Sequence, residues 1–113
     1  MIHLYGIPNC DTVKKARKWL HMRGIEYVFH DFKKEGVDQA KLRIWIDLHG
    51  YETLLNRRGS TFRNLPDEDK NKLDSGDVLA LLKSYPSMIK RPIVDSGDTV
   101  LVGFKERDWD EIF

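Results

Sequence analysis

The start of the sequence contains the pattern that most constrains the fold. Residues 2–5 are mostly apolar and end at Gly6, which is typical of a short buried strand. A helical pattern runs from Asp11 to Gly24, and residues 25–32 are rich in β-branched and aromatic side chains, as strands are. Two strands joined by one helix form a right-handed crossover in which the strands lie parallel. The sequence therefore predicts a βαβ unit here.

The predicted helix has one apolar face. Its apolar residues recur at three- and four-residue spacing, at Val13, Ala16, Trp19 and Leu20. Asn9 has a side chain suited to cap the N-terminus, and Asp11 in the first turn suits the positive end of the helix dipole. We therefore expect an amphipathic helix with Asn9 as its N-cap.

The turn between the first strand and this helix contains Cys10, the only cysteine of the chain. A cysteine there sits beside unpaired backbone N–H groups and the positive end of the helix dipole, and both favour the nucleophilic thiolate. The sequence thus predicts a reactive thiol, against the alternative that Cys10 is a small buried side chain. One cysteine excludes a disulfide within the chain and is typical of a reducing cytosol, so we expect a cytoplasmic protein.

Length and composition exclude several classes of protein. The 113 residues suit one domain (1–113), and 41% hydrophobic with 33% charged residues is typical of a folded soluble chain. The formal net charge of +1 gives no reason to expect nucleic-acid binding. The chain starts without the pattern of a signal peptide, and no apolar stretch approaches the roughly 20 residues that span a bilayer. We expect a monomer with neither nucleic-acid nor membrane partners.

The middle of the sequence predicts helices. The clearest one begins at Asp38, a suitable N-cap, and closes at Gly50. Its expected apolar contacts are Leu42, Ile44, Trp45, Ile46 and Leu48. Shorter helices are expected at residues 51–55, from Pro66 onward and at 78–82, with loops at 33–36, 56–63 and 74–77. These helices together span residues 34–87, and a domain of that size would be only marginally stable alone. We therefore expect residues 34–87 to form an inserted helical subdomain.

The end of the sequence predicts a hairpin and a last helix. Two apolar runs, at 93–95 and 99–102, flank a Ser-Gly-Asp turn, which is the pattern of an antiparallel hairpin. Residues 106–113 predict a helix whose buried side contains Trp109, Ile112 and Phe113. The element order is β-α-β, helices, then β-β-α. This order predicts an α/β fold with a mixed sheet of about four strands.

Several sequence blocks resemble one known family across nearly the whole chain. These blocks are residues 4–12 (LYGIPNCDT), 14–20, 54–63, 89–93 and 101–104. The order of elements, with a cysteine at the first strand-to-helix turn, resembles a thioredoxin fold with a helical insertion, in which residues 1–33 and 88–113 are the thioredoxin-like part. The blocks themselves resemble the arsenate-reductase-like family (the ArsC, Spx and YffB type), and most closely its YffB branch.

The resemblance implies a site around the cysteine. Cys10 would be the redox nucleophile, and Arg91 would lie beside it to stabilise the thiolate and hold an anionic group, which arginine can do bidentately. The Arg91–Pro92 peptide bond would be cis and face the sulfur. Asp11 opposes this activation, because a nearby negative charge raises a thiol pKa. We expect the helix terminus and the arginine to outweigh it.

The expected substrate or anion contacts are Asn9, Thr12, Arg58 and Pro92. Asn9 and Thr12 would orient the sulfur or hydrogen-bond with it, and Arg58 would be a second cation for an anion, with Arg57 and Arg63 as alternatives. Asn9, Thr12 and Arg58 each have an ordinary structural explanation as well. An arginine in a Gly-Ser-Thr loop is often only solvated, and Asn9 and Thr12 suit a helix start whatever the function.

Two departures from the family pattern narrow the function. Gly103 and Phe104 stand where the arsenate reductases have a third arginine, which leaves the oxyanion site incomplete and disfavours arsenate as the substrate. Val13 stands where the Spx proteins often have the second cysteine of a Cys-x-x-Cys switch. A redox-switched regulator of that kind is therefore disfavoured.

The cysteine content also constrains the mechanism. With one cysteine, a mixed disulfide has to be resolved by an external thiol, and glutathione is the abundant cytosolic one. We predict a thiol reductase with Cys10 as nucleophile, glutathione as co-substrate, glutaredoxin as a further partner and no tightly bound cofactor. The alternatives are an arsenate reductase that uses glutathione and glutaredoxin, and a non-enzymatic Spx-like interaction or regulatory protein. The four histidines are scattered without metal-ligand spacing, so we expect structural roles for them and no metal site.

Overall fold

A computed structural model describes residues 1–73 and 78–113 of the chain. The loop predicted at 74–77 lies outside the described residues. The chain divides into two compact units, residues 1–35 with 91–113, and residues 36–90. None of the described helices is long and apolar enough to cross a membrane.

The first unit is built on a four-stranded sheet with strand order β2-β1-β3-β4. The strands are β1 (Ile2–Gly6), β2 (Tyr27–Asp31), β3 (Ile93–Asp95) and β4 (Val100–Val102). β1 pairs with β2 in parallel and with β3 antiparallel, and β3 pairs with β4 antiparallel. The βαβ unit, the hairpin and the mixed sheet are thus confirmed, in a thioredoxin-like α/β fold.

Helix α1 (Asp11–Met22) joins the two parallel strands, and its predicted apolar face is buried. The core of this unit contains Leu4, Ala16, Trp19, Leu20, Val94 and Trp109. The rings of Trp19 and Trp109 meet edge-on, with centroids 5.5 Å apart and planes at 89°, a favourable geometry for aromatic pairs. Strand alternation explains why Leu4 faces α1, since residues two apart in a strand share one face.

The start of α1 differs from the prediction by one residue. Cys10, not Asn9, is the N-cap, with the extended backbone that this position requires (φ −109°, ψ 128°). Pro8 and Asn9 form an exposed turn after β1, so the extended residue before the helix falls on Cys10. The cysteine is therefore part of the helix terminus itself.

The segment after β2 is a helix where the sequence predicted a loop. β2 ends at Asp31, and α2 (Phe32–Glu35) follows at once. The Asp31 carboxylate accepts a hydrogen bond from the Lys33 N–H at 2.8 Å, and the Glu35 carboxylate accepts one from the Asp31 N–H at 3.2 Å. These two bonds satisfy N–H groups at the start of the turn, as a capping box does.

The second unit contains helices α3 (Gln39–His49), α4 (Tyr51–Leu54), α5 (Ser60–Arg63), α6 (Asp67–Asn71) and α7 (Val78–Ser84), and then a 3₁₀ turn (Pro86–Met88). Asp38 caps α3 by accepting from Ala40 N–H at 2.9 Å and Lys41 N–H at 3.2 Å, as predicted. Helix α5 lies within the predicted loop 56–63, and Pro66 is the N-cap of α6 rather than its first helical residue. Near the end of this unit, an isolated antiparallel β-bridge pairs Ile89 with Leu55.

Three residues predicted to be buried are exposed. In α3, Leu42 and Trp45 are buried, whereas Ile44 and Leu48 are 53% and 61% exposed. The two exposed residues are four apart and lie on the same helix side, away from the Leu42–Trp45 face. In α8 (Glu106–Ile112), Trp109 is buried but Ile112 is 43% exposed, because the core-facing stripe continues to Phe113, four residues after Trp109.

Candidate active site

Cys10 lies at the junction of β1 and α1, where the end of a central strand meets a helix N-terminus. Its side chain is half-buried, and its carbonyl accepts the first intrahelical bond, from the Lys14 N–H at 2.9 Å. The side chain of the N-cap residue is close to the N–H groups of the second and third helical residues, here Thr12 and Val13. The fold therefore directs two uncompensated N–H dipoles toward the sulfur.

The electrostatic environment of Cys10 favours the thiolate. Burial raises the pKa of the thiol, but the Val13 N–H, the hydrogen bond from the Arg91 side chain and the Thr12 N–H together lower the pKa below its usual value. The sulfur forms no capping hydrogen bond of standard geometry, so the two N–H groups act as dipoles at somewhat longer range. The charge of Arg91 adds a smaller Coulombic contribution in the same direction.

Arg91 reaches Cys10 from the segment that precedes β3, and Pro92 follows it in that segment. The Arg91–Pro92 bond is cis, as the resemblance implied. Arg91 is half-buried and Pro92 is buried, and the Pro92 carbonyl accepts a hydrogen bond from the Gly103 N–H at 2.8 Å. This bond ties the segment to the end of β4. The structure thus brings Arg91 to the sulfur, so these two of the predicted site residues lie together.

Thr12 and Asn9 lie on either side of Cys10 in the chain, and both are exposed. The contribution of Thr12 to the thiol pKa comes from its backbone N–H. Asn9 lies in the turn that precedes the N-cap, so its expected capping role is wrong. Side-chain roles of Asn9 and Thr12 toward a substrate stay predictions.

The candidate arginines 57, 58 and 63 belong to the second unit. Arg57 forms a bidentate ion pair with Glu52, with N···O distances of 2.6 and 3.1 Å, and its guanidinium lies 5.3 Å from the centre of the Phe62 ring. Arg58 is exposed and lines an open cavity of about 370 Å³ together with Asn56 and Lys90. The Arg57 guanidinium is therefore already paired with the Glu52 carboxylate. The anion-binding role of Arg58 stays a prediction.

Two of the histidines are not scattered but form a chain of contacts that the sequence analysis missed. His3 Nδ1 and His30 Nε2 are 2.9 Å apart, and His30 Nδ1 is 3.0 Å from a Glu35 carboxylate oxygen. The hydrogen bond from His30 lowers the pKa of Glu35 below its usual value. These contacts follow from the parallel register of β1 and β2, which pairs Tyr5 with His30 and stacks their rings at 4.5 Å. Aligning the two predicted strands in this register would have found them. Within residues 1–73 and 78–113 no three metal-ligating side chains are grouped as a metal site requires.

The mixed sheet, the N-terminal βαβ unit, a cysteine at a helix start and a cis-proline before β3 define a protein of the thioredoxin-like class. More specifically, the chain belongs to the ArsC family, whose model matches residues 5–112.

Similar proteins extend over nearly the whole chain. An uncharacterized protein of Haemophilus influenzae is 42% identical over 100% of this chain and 99% of its own. The Spx global transcriptional regulator of Streptococcus pneumoniae is 28% identical over 94% of this chain and 80% of its own.

Two solved structures share the fold at higher identity. A YffB protein matches with a TM-score of 0.93 and 46% identity, covering 98% of this chain and 97% of that one. An arsenate reductase (ArsC) related protein from Brucella melitensis matches with a TM-score of 0.75 and 44% identity, covering 97% and 92%. The family assignment and the thioredoxin-like fold are therefore confirmed.

Proposed function

We propose that this protein is a thiol reductase that uses Cys10 as its nucleophile and glutathione as its co-substrate. The observation that supports it best is the site itself: the sole cysteine caps α1 beside Arg91, and its pKa is lowered. A lowered pKa increases the fraction of thiolate near neutral pH, and the thiolate is the attacking form. The chain belongs to the ArsC family, and a solved relative from Brucella melitensis is described as an arsenate reductase (ArsC) related protein.

The proposed reaction has two exchange steps. The Cys10 thiolate attacks the glutathione sulfur of a mixed disulfide between a substrate thiol and glutathione; a Cys10–glutathione disulfide forms, and the substrate leaves as a thiolate that takes up a proton. A second glutathione, as its thiolate, attacks the glutathione sulfur of that disulfide. Glutathione disulfide leaves, and the Cys10 thiolate is restored. Overall, the substrate–glutathione disulfide and one glutathione thiol become the substrate thiol and glutathione disulfide. One disulfide replaces another, so electrons balance without a bound cofactor.

An external thiol is required because the chain contains one cysteine. Glutathione suits this requirement in a reducing cytosol, where we place the protein as a monomer, and glutaredoxin is a further candidate reductant. In this scheme Arg91 pairs with the thiolate and then with a carboxylate of the bound glutathione, as its planar donor fork permits. Asn9, Thr12 and Pro92, which belong to the same unit as Cys10, are the proposed substrate contacts, and Arg58 of the second unit is a separate candidate for binding an anion.

The test is reduction of a glutathionylated model peptide by glutathione, with the wild type and Cys10→Ser compared at equal concentration. The proposal expects catalysed turnover by the wild type and the uncatalysed rate with Cys10→Ser. The matched control is Arg23→Gln, an exposed arginine paired with Asp110, which should retain the wild-type rate. Equal rates for wild type and Cys10→Ser would refute the proposal.

The arsenate alternative rests on the relation to arsenate reductase-like proteins. Gly103 and Phe104 occupy the place where the resemblance puts a third arginine in the arsenate reductases, and the Phe104 ring packs against Trp109 with centroids 4.8 Å apart. That position faces the aromatic core of the first unit and supplies no cation to an oxyanion. Arsenate-dependent turnover with glutathione and glutaredoxin present would decide for this alternative.

The third candidate, a regulator, rests on the similarity to Spx proteins along 94% of the chain. Residue 13 is a fully buried valine in the first turn of α1, so it offers no second thiol for a switch. An ordinary Cys10 pKa together with a stable, stoichiometric complex with a component of the transcription machinery would decide for this alternative.

A further inference from the structure

Gly6 and Val13 touch at the point where β1 passes under the first turn of α1. Gly6 is the last residue of β1 and is buried, and it lies on the same face of the strand as Leu4, which packs against α1. A Cβ at position 6 would lie 2.8 Å from Cγ2 of Val13 and 3.5 Å from Cγ1. The φ of Gly6 is not in the left-handed region, so the reason for glycine here is space.

The Val13 side chain cannot easily move out of the way. It is fully buried, and valine is β-branched, so one χ1 rotamer is strongly preferred in a helix. Carbon atoms pack at about 3.5–4.0 Å, so a Cβ at residue 6 requires a displacement of at least about 0.7 Å. The first turn of α1 would have to supply this displacement, because core packing leaves few voids.

The first turn of α1 is the part of the helix that serves the cysteine. Cys10 is its N-cap, and Thr12 and Val13 are the residues whose N–H groups are directed at an N-cap side chain. We propose that the missing side chain at Gly6 sets the distance between β1 and α1, and so holds the Thr12 and Val13 N–H groups at the Cys10 sulfur. Gly6 is thus a positioning residue. Its value for catalysis rests on the function proposed above.

The test is a cycle of three variants: Gly6→Ala, Val13→Ala and Gly6→Ala/Val13→Ala. The pKa of Cys10 is measured for each from the pH dependence of alkylation by iodoacetamide. Gly6→Ala should raise the pKa by roughly half a unit, the scale on which a charge interacts with the dipole of a helix N-terminus. Val13→Ala keeps its backbone N–H and should leave the pKa at the wild-type value. The double variant removes the clash and should return the pKa to the wild-type value.

A purely structural role for Gly6 predicts a different result. In that case the variants change thermal stability but the pKa of Cys10 does not move, and this outcome would overturn the inference. A double variant that keeps the raised pKa of Gly6→Ala would overturn it as well. If Gly6→Ala does not fold, Val13→Ile crowds the same contact from the helix side; an unchanged pKa in that variant counts against the inference.

The readout separates this inference from the proposed reaction. Thiol pKa values require no substrate, so the cycle can succeed even when glutathionylated peptides are not reduced. Conversely, turnover could depend on Cys10 while Gly6→Ala leaves the pKa of Cys10 unchanged. That result would support the reductase proposal and refute the positioning role of Gly6.

Discussion

Replacing Arg91 with glutamine should raise the pKa of Cys10, because the variant removes both the hydrogen bond from the guanidinium to the sulfur and the positive charge beside it. A hydrogen bond to a charged group contributes about 1.5–3 kcal/mol in protein interiors, and the half-buried position of both side chains favours the lower end. At about 1.4 kcal/mol per pKa unit, we expect a rise of roughly one unit. The Thr12 and Val13 N–H groups remain in place, so part of the activation should persist.

The assay for Arg91→Gln is the ultraviolet absorbance of the thiolate as a function of pH. One cysteine means that the signal reports one group, and Cys10→Ser supplies the blank for tyrosine ionisation. Arg91→Lys keeps the charge but not the planar donor fork, and should lie between wild type and Arg91→Gln. The matched control is Arg23→Gln, which should match the wild type. An Arg91→Gln pKa equal to that of the wild type would refute the assignment of Arg91 to the thiolate.

Further predictions concern stability. The folded-state pKa of Cys10 lies below the unfolded value, so stability from the thiolate is fully present above the unfolded pKa and is lost as pH falls through the folded pKa. Relative to Cys10→Ser, the melting temperature of the wild type should therefore rise with pH until the usual cysteine pKa of about 8.5 is passed. Trp109→Ala should lower the free energy of unfolding by about 3–5 kcal/mol in urea, since this fully buried ring packs against Trp19 and Phe104. Asp38→Ala should cost about 1 kcal/mol in the same measurement, whereas Asp38→Asn, which keeps an acceptor, should cost less.

Local sequence signals were sufficient where one kind of interaction determines the structure. The apolar spacing of α1 identified its buried face, and Asp38 and Gly50 marked both ends of α3. The Ser-Gly-Asp turn identified the hairpin, in which Asp95 accepts from the Gly97 N–H at 2.8 Å. In each case the interactions that define the element lie within a few residues of one another.

The misses arose where the decisive interaction is distant in sequence or depends on geometry. Ile44 and Leu48 are apolar, but hydrophobicity alone does not say which helix side faces the core. The contact between His3 and His30 joins residues 27 positions apart and exists only because β1 and β2 pair in one register. The N-cap moved from Asn9 to Cys10 because the Pro8–Asn9 turn, and not side-chain preference, sets where the helix begins.

The candidate site was likewise predictable only where its residues are close in sequence. The position of Cys10 at a helix start follows from the strand–turn–helix pattern, but the approach of Arg91, 81 positions later, came from the family resemblance. No local pattern indicates that Gly6 provides space for Val13, since a glycine at a strand end is ordinarily interpreted as a stop signal.

The proposed chemistry depends most on the activation of the Cys10 thiol. The direct measurement is the rate of iodoacetamide alkylation of the wild-type protein across a pH series, with Cys10→Ser as the blank. We predict a single ionisation with a pKa below the usual cysteine value of about 8.5. A pKa at or above that value would contradict it, because burial would then outweigh Arg91 and the helix N–H groups.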